Sequence, residues 1–251
     1  MADATDPGHD QDHGLDDEAA QLARSAARIQ GGGARAAVLG VSDGLVTNLS
    51  LILAVAGASA SRGSIRLAGF ASLVAGAFSM AAGEWVSVRA QVDFYRGLIG
   101  RFRRHYVSNR PLIYRALVHR MRDSGLGEDV AATAASDVIA NDARGFEVAT
   151  KLLLRVDPEE LGSPWVAAFS SLLLFSGGAF VPLLPWFVTS GTAAVVATIV
   201  ATALVGATVG AGVAVTSEEP WWQGALRQVV IVGLASGITF GVGRLFGAAV
   251  S

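Results

Sequence analysis

Long apolar stretches with almost no charge alternate with short polar ones over most of this chain. From Ala36 to Gly57 the single charged residue is Asp43. As a helix this stretch rises about 33 Å, enough to cross a hydrocarbon layer of roughly 30 Å. A second apolar run, Ile65 to Val88, follows the linker Ser59 to Ser64 and carries Glu84 near its end. So short a linker predicts a tight hairpin of two helices. Pro164 to Ser217 contains no charged residue at all, and one helix of that length would measure about 81 Å. The run must therefore fold back, and Pro182, Pro185, Trp186, Ser190 and Gly191 supply the break. Spans three and four are expected at 164–187 and 191–215. Span five is expected at 223–248, after Ser217-Glu218-Glu219-Pro220-Trp221-Trp222, with Arg227 and Arg244 near its ends.

Between spans two and three the pattern changes. Residues 89–163 are rich in charge of both signs, and Leu112, Ala116, Val118 and Met121 recur at helical spacing, as do Val130, Ala134, Asp137 and Val138. Glu128 and Asp129 after Gly125-Leu126-Gly127 read as a helix start. This segment is expected to be a small cytosolic helical domain. Residues 1–32 divide into an acidic, core-free leader and a stretch with Leu22, Ile29, Arg24, Arg28 and Arg35 close by, expected to lie along the inner membrane surface. His9 and His13 beside Asp10 and Asp12 could hold a metal weakly, but a solvated acidic leader is the preferred reading. The predicted fold class is thus all-α, a polytopic membrane protein. Its parts are an N-terminal segment 1–32, spans one and two in 33–88, the helical domain 89–163, and spans three to five in 164–251.

Composition agrees with that class: 52% of residues are hydrophobic, 16% are charged, and mean hydropathy is +0.47. There is no cysteine, which excludes disulfides and thiolate metal sites. Lys and Arg total 19, and Lys151 is the one lysine. Most of the arginines fall in the N-terminal stretch and in 89–163, so the positive-inside rule puts both in the cytosol. Five spans then leave the C-terminus outside. No basic start followed by an apolar run marks a secretory signal. The run Arg101-Phe102-Arg103-Arg104-His105 suits lipid headgroups better than nucleic acid, so membrane lipid is an expected partner and nucleic acid is not. No nucleophile–base pair or phosphate-binding loop suggests an enzyme, and no cofactor is expected.

The chemistry centres on Asp43. A carboxylate inside a span costs a few kcal/mol unless paired, and by default marks an ion or proton pathway. Thr47 and Ser50 follow it at i+4 and i+7 and share its face, with Asn48 a further 100° round from Thr47. In span two Ser72, Gly76, Ser79, Met80 and Glu84 line one face. Were the two faces to meet, they would offer carboxylates, hydroxyls and one thioether, a set that suits a divalent first-row transition metal. A metal-binding carboxylate must be deprotonated, so metal and proton compete there. Taken singly, Met80 could be packing filler and Glu84 a solvated interfacial residue. Gly233, Gly237 and Gly241, like Gly206 with Gly210 and Gly40 with Gly44, have the four-residue spacing of close helix packing, within a subunit or across a dimer.

Three segments resemble the vacuolar iron transporter family, which includes the nodulin-21-like proteins. They are Ser42-Asp43-Gly44-Leu45-Val46-Thr47-Asn48-Leu49-Ser50-Leu51, Gly76-Ala77-Phe78-Ser79-Met80-Ala81-Ala82-Gly83-Glu84-Trp85-Val86-Ser87-Val88, and Asp157-Pro158-Glu159-Glu160-Leu161-Gly162-Ser163-Pro164-Trp165. The resemblance implies a five-span homodimer that moves Fe²⁺, and often Mn²⁺, out of the cytosol against protons. It also implies that Asp43 and Met80 belong to the translocation site. Where iron-collecting members carry repeated Glu in the cytosolic domain, this chain has Arg96, Arg101, Arg103 and Arg104. At Ser72 those members tend to have an acid.

The sequence thus points to proton-coupled export of divalent iron or manganese across a bacterial-type inner membrane. Asp43, Met80 and Glu84 are the expected metal site, with Thr47, Ser50 and Ser79 along the path. The rival reading is a non-transporting membrane protein that binds a partner, or regulates metal handling, through its Arg-rich domain.

Overall fold

The structure is a computed structural model that describes residues 33–156 and 162–250. The N-terminal stretch with His9 and His13, and the Asp157-Pro158-Glu159-Glu160-Leu161 run, lie outside the described residues. Every regular element among the described residues is helical. Helix α1 is Gly33–Gly57, α2 Arg62–Ser108, α3 Arg110–Asp123, α4 Glu128–Ala140 and α5 Asp142–Ala149. A π-helical turn, Thr150–Leu154, extends α5. Then come α6 (Pro164–Phe180), a 3₁₀ turn (Val181–Leu183), α7 (Pro185–Val188), α8 (Gly191–Thr216) and α9 (Trp221–Val250). Five of these, α1, α2, α6 with its 3₁₀ turn, α8 and α9, are long and apolar enough to cross a membrane.

Helix α2 runs 47 residues without interruption, well past the end of the apolar stretch at Val88. Hydropathy falls there, but no proline appears before Pro111 to stop the helix. Two compact units share this helix: residues up to Glu84 together with those from Ala167, and Trp85–Val166.

In the first unit α1 is the central strut. Leu49 and Leu53 pack against Val232 of α9, and Ile52 packs against Leu183 and Trp186 beyond α6. Glycine decides how close α1 and α6 come. A Cβ on Gly44 would lie 2.8 Å from the Ala179 nitrogen, and one on Gly178 would lie 3.0 Å from the Val41 carbonyl carbon. Backbone cannot yield at such distances, so only glycine fits.

The expected break after span three is present, and side chains from three other helices hold it together. Pro182 has no N–H to offer the Gly178 carbonyl, and the chain tightens into the 3₁₀ turn. Carbonyls freed near such a break need new donors inside a membrane. Asn48 Nδ2 donates to Ala179 O (2.5 Å) and Thr198 Oγ1 donates to Pro182 O (3.1 Å). Arg62 Nε donates to Trp186 O (2.8 Å), and the same guanidinium donates to Phe187 O. Losing this charged donor at two carbonyls should cost about 2 kcal/mol. The variant Arg62→Ala is therefore expected to melt at a lower temperature in detergent, and an unchanged melt would contradict this role.

The second unit has its own core of Tyr106, Ile113, Leu117, Ala135 and Ala149, with Phe102 and Phe146 against it. Asn109 caps α3 by accepting from the Leu112 N–H, and α4 starts after Gly127 with Glu128 and Asp129 in its first turn. The fully buried face of each helix lies one residue on from the larger apolar residues that mark its period. Ile113 and Leu117 are buried while Leu112 is exposed, and Ala131 and Ala135 are buried while Val130 is exposed. On α4 the reason is size, because alanine permits the closest helix approach. The rings of Trp85 and Trp165 meet at a tilt of 60°, centroids 5.7 Å apart, where α2 and α6 enter this unit. Its ion pairs, such as Arg89–Asp93 and Lys151–Glu147, are half exposed and contribute little stability.

Candidate functional site

Asp43 lies six residues inside the span Ala37–Gly57, so its Cα is about 9 Å along the helix axis from the start of that span. Its side chain is exposed, on a face of α1 that the other described residues leave uncovered. Thr47, one turn on and also exposed, donates its hydroxyl to Asp43 Oδ1 at 2.8 Å. That bond fixes the carboxylate and leaves Oδ2 without a hydrogen-bond partner among the described residues. Ser50 follows on the edge of the same face, half-buried. The other sides of α1 are occupied. Gly40, Gly44 and Asn48 face α6, Leu49 and Leu53 face α9, and Ser42 Oγ accepts from Gln228 Nε2 at 3.4 Å.

An exposed carboxylate at this depth has a clear physical consequence. Facing lipid it would cost about 2.5–3.5 kcal/mol or more. The face must therefore meet water or another polar surface, such as a second copy of the chain.

On α2 the predicted residues separate. Met80 is half-buried and packs on the cluster of Ala77, Phe175 and Ala179. Gly76 also faces the Phe175 ring. Ser79 is exposed, and Glu84 and Ser72 are half-buried. Among the described residues no group of three or more His, Asp or Glu side chains stands close enough to hold a metal ion. The described residues of one chain thus supply single ligands and no complete cage. Only 22% of the apolar window of α2 and 17% of that of α9 is buried, against 39% for α1, so most of these two spans is uncovered by the described residues.

Gly233, Gly237 and Gly241 are exposed, and a Cβ on any of them would meet nothing within 4 Å. Among the described residues they meet no neighbouring helix. Close packing is made instead by Gly243 on the same helix, where a Cβ would lie 2.8 Å from the Ala54 carbonyl carbon.

Sequence reasoning placed Asn48 on the helix but gave it no role. It is 0% exposed and binds Ala179 O. Its signal was available, as a polar residue four after Gly44 in a span of small and apolar neighbours. Arg62 was missed because it lies in the hairpin and its targets are backbone carbonyls, which leave no pattern in sequence.

The family model of the VIT family matches residues 34–244. Vacuolar iron transporter homolog 1 of Oryza sativa subsp. japonica is 36% identical over 214 residues, covering 85% of this chain and 73% of its own. Vacuolar iron transporter homolog 3 of Arabidopsis thaliana is 33% identical over 214 residues, covering 85% and 82%. The vacuolar iron transporter cccA of Arthroderma benhamiae is 24% identical over 218 residues, covering 83% and 77%. A match of that extent, carried by a chain whose five apolar helices include the Asp43 and Met80 segments, shows that the chain belongs to the VIT family.

Proposed function

We propose that this protein is a homodimeric exporter that moves divalent iron or manganese out of the cytosol in exchange for protons. The observation that carries the reading is the exposed carboxylate of Asp43 within a span, held through one oxygen by Thr47 and open at the other. A transported cation takes the free oxygen when the group is ionised, and a proton takes it otherwise. Binding one therefore expels the other, which is the requirement for exchange.

The incomplete ligand set favours two copies. A two-fold interface repeats each surface, so faces carrying Asp43 would contribute two carboxylates to one path. The large uncovered surface of α2 offers the rest of such an interface, with Ser79 on it. In this arrangement Met80 supplies a soft sulfur that prefers first-row transition metals over calcium or magnesium. Glu84, toward the cytosolic end of the span, draws cations in. Thr47, Ser50 and Ser79 line the route with hydroxyls. The distribution of arginines supports a cytosolic N-terminus and a cytosolic domain at 89–163. The relatives are named for vacuolar iron transport, which supports iron among the cargoes.

The test is flux. Purified protein is sealed into liposomes with a pH-sensitive dye inside, and Mn²⁺ or Fe²⁺ is added outside. Metal entry with proton exit, faster when the inside is made more acidic, is the expected result. Metal entry without proton movement would remove the exchange. No entry with any divalent metal, in protein shown to be dimeric, would favour a partner-binding role for the Arg-rich domain.

A further inference from the structure

We propose that Asn48 is the positioning residue of the transport site, fixing the depth and rotation of Asp43 through a bond to the broken end of α6. This inference rests on the transport reading above and adds a residue to it.

The argument starts from the two faces of α1. Asp43 and Thr47 form the open face, and Gly40, Gly44 and Asn48, also spaced by four, form the face against α6. Gly44 permits backbone contact at Ala179 but contributes no directional bond of its own across α1 and α6. Asn48 supplies the direction. Its Nδ2 donates to Ala179 O at 2.5 Å, next to the carbonyl that Pro182 leaves without an N–H. The side chain is 0% exposed, and its Oδ1 has no hydrogen-bond partner among the described residues. A fully buried amide with half its capacity unused is costly to keep. Packing alone would be served as well by an apolar residue of this size. Because Asn48 directly follows Thr47, which holds the Asp43 carboxylate, any movement of Asn48 against Ala179 displaces the carboxylate by a similar amount.

Thr198 provides the control. It donates to Pro182 O in the same broken segment at 3.1 Å, but it stands on α8 rather than beside Asp43. If Asn48 only stabilised the break, the two residues would be equivalent.

Wild type, Asn48→Ala, Asn48→Ser and Thr198→Ala are compared for Mn²⁺ uptake in liposomes at a temperature below all their melting points, after oligomeric state is matched. Loss of a buried hydrogen bond at this point should raise the KM for Mn²⁺ about tenfold in Asn48→Ala. Asn48→Ser, the milder change, is used if the alanine variant does not fold. Thr198→Ala is expected to melt earlier with its KM unaltered. Equal KM changes at both positions, or none at either, would overturn the proposal. A second readout does not depend on transport. The chain has no cysteine, so Thr47→Cys can be labelled with a maleimide, with Asn48 kept or changed to Ala. A several-fold change in labelling rate is expected, and an unchanged rate would overturn the positioning role. Wild-type protein that moves no metal but shows the labelling change would instead overturn the transport reading alone.

Discussion

Replacing Asp43 by Asn is expected to reduce Mn²⁺ and Fe²⁺ uptake more than about a hundredfold, since even outer partners of a metal site cost 10–100-fold when lost. The change is nearly isosteric, and Thr47 can still donate to the amide oxygen that replaces Oδ1. Charge, however, is lost, and with it both the cation site and the proton site. Stability should not fall, because Asp43 is exposed in the single chain and makes no packing contact that the amide cannot make. A span relieved of a carboxylate is cheaper to hold in a membrane. The expected signature is therefore intact protein, unchanged or higher melting temperature, and no flux. Uptake in liposomes beside a melting curve in detergent checks both halves. Retained uptake would show that the ion path lies elsewhere.

The second large effect is structural and concerns adjacent glycines with opposite fates. Gly178→Leu places a side chain where a Cβ alone would stand 3.1 Å from the Leu45 nitrogen. Both sides of that contact are helix backbone, which cannot move without separating α1 from α6. A cost above about 3 kcal/mol follows, the upper end of ordinary overpacking. Separation also breaks the Asn48 bond to Ala179, so transport should be lost with stability. At Gly177→Leu nothing lies within 4 Å of the added Cβ, and an effect within about 0.5 kcal/mol is expected. Thermal melting of the two variants in one detergent decides the matter. Similar behaviour in both would mean that the α1–α6 approach is looser than described.

This contrast shows what sequence could and could not reveal. The spans were legible because apolar run length is a direct measure of membrane crossing. The turn after span three was legible because Pro182 and Pro185 cannot continue a helix. Asp43 stood out because its solvent was wrong for its charge. Spacing of glycines was a weaker guide. Gly40 with Gly44 and the trio Gly233, Gly237 and Gly241 share one pattern, yet the first pair meets α6 and the trio meets nothing among the described residues. Periodicity gives the direction in which a residue points along its own helix, but not what lies there. The continuation of α2 past Val88 was hidden for a related reason. Hydropathy marks where a membrane span ends, whereas only a helix breaker marks where a helix ends. Met80 and Asp43 were both readable as metal ligands by type, but their separate surroundings emerge only in three dimensions. One packs beside Phe175 and the other faces outward.

The most direct measurement of the central claim is calorimetric titration of Mn²⁺ into wild type and Asp43→Asn, each in two buffers of different ionisation enthalpy. The titration is run at acidic pH, where a metal-binding carboxylate competes with protons; metal that displaces a proton from Asp43 then transfers it to the buffer, so the apparent heat must differ between buffers for wild type and not for the variant. Binding with buffer-independent heat in wild type, or equal proton release in both proteins, would contradict the role assigned to this carboxylate.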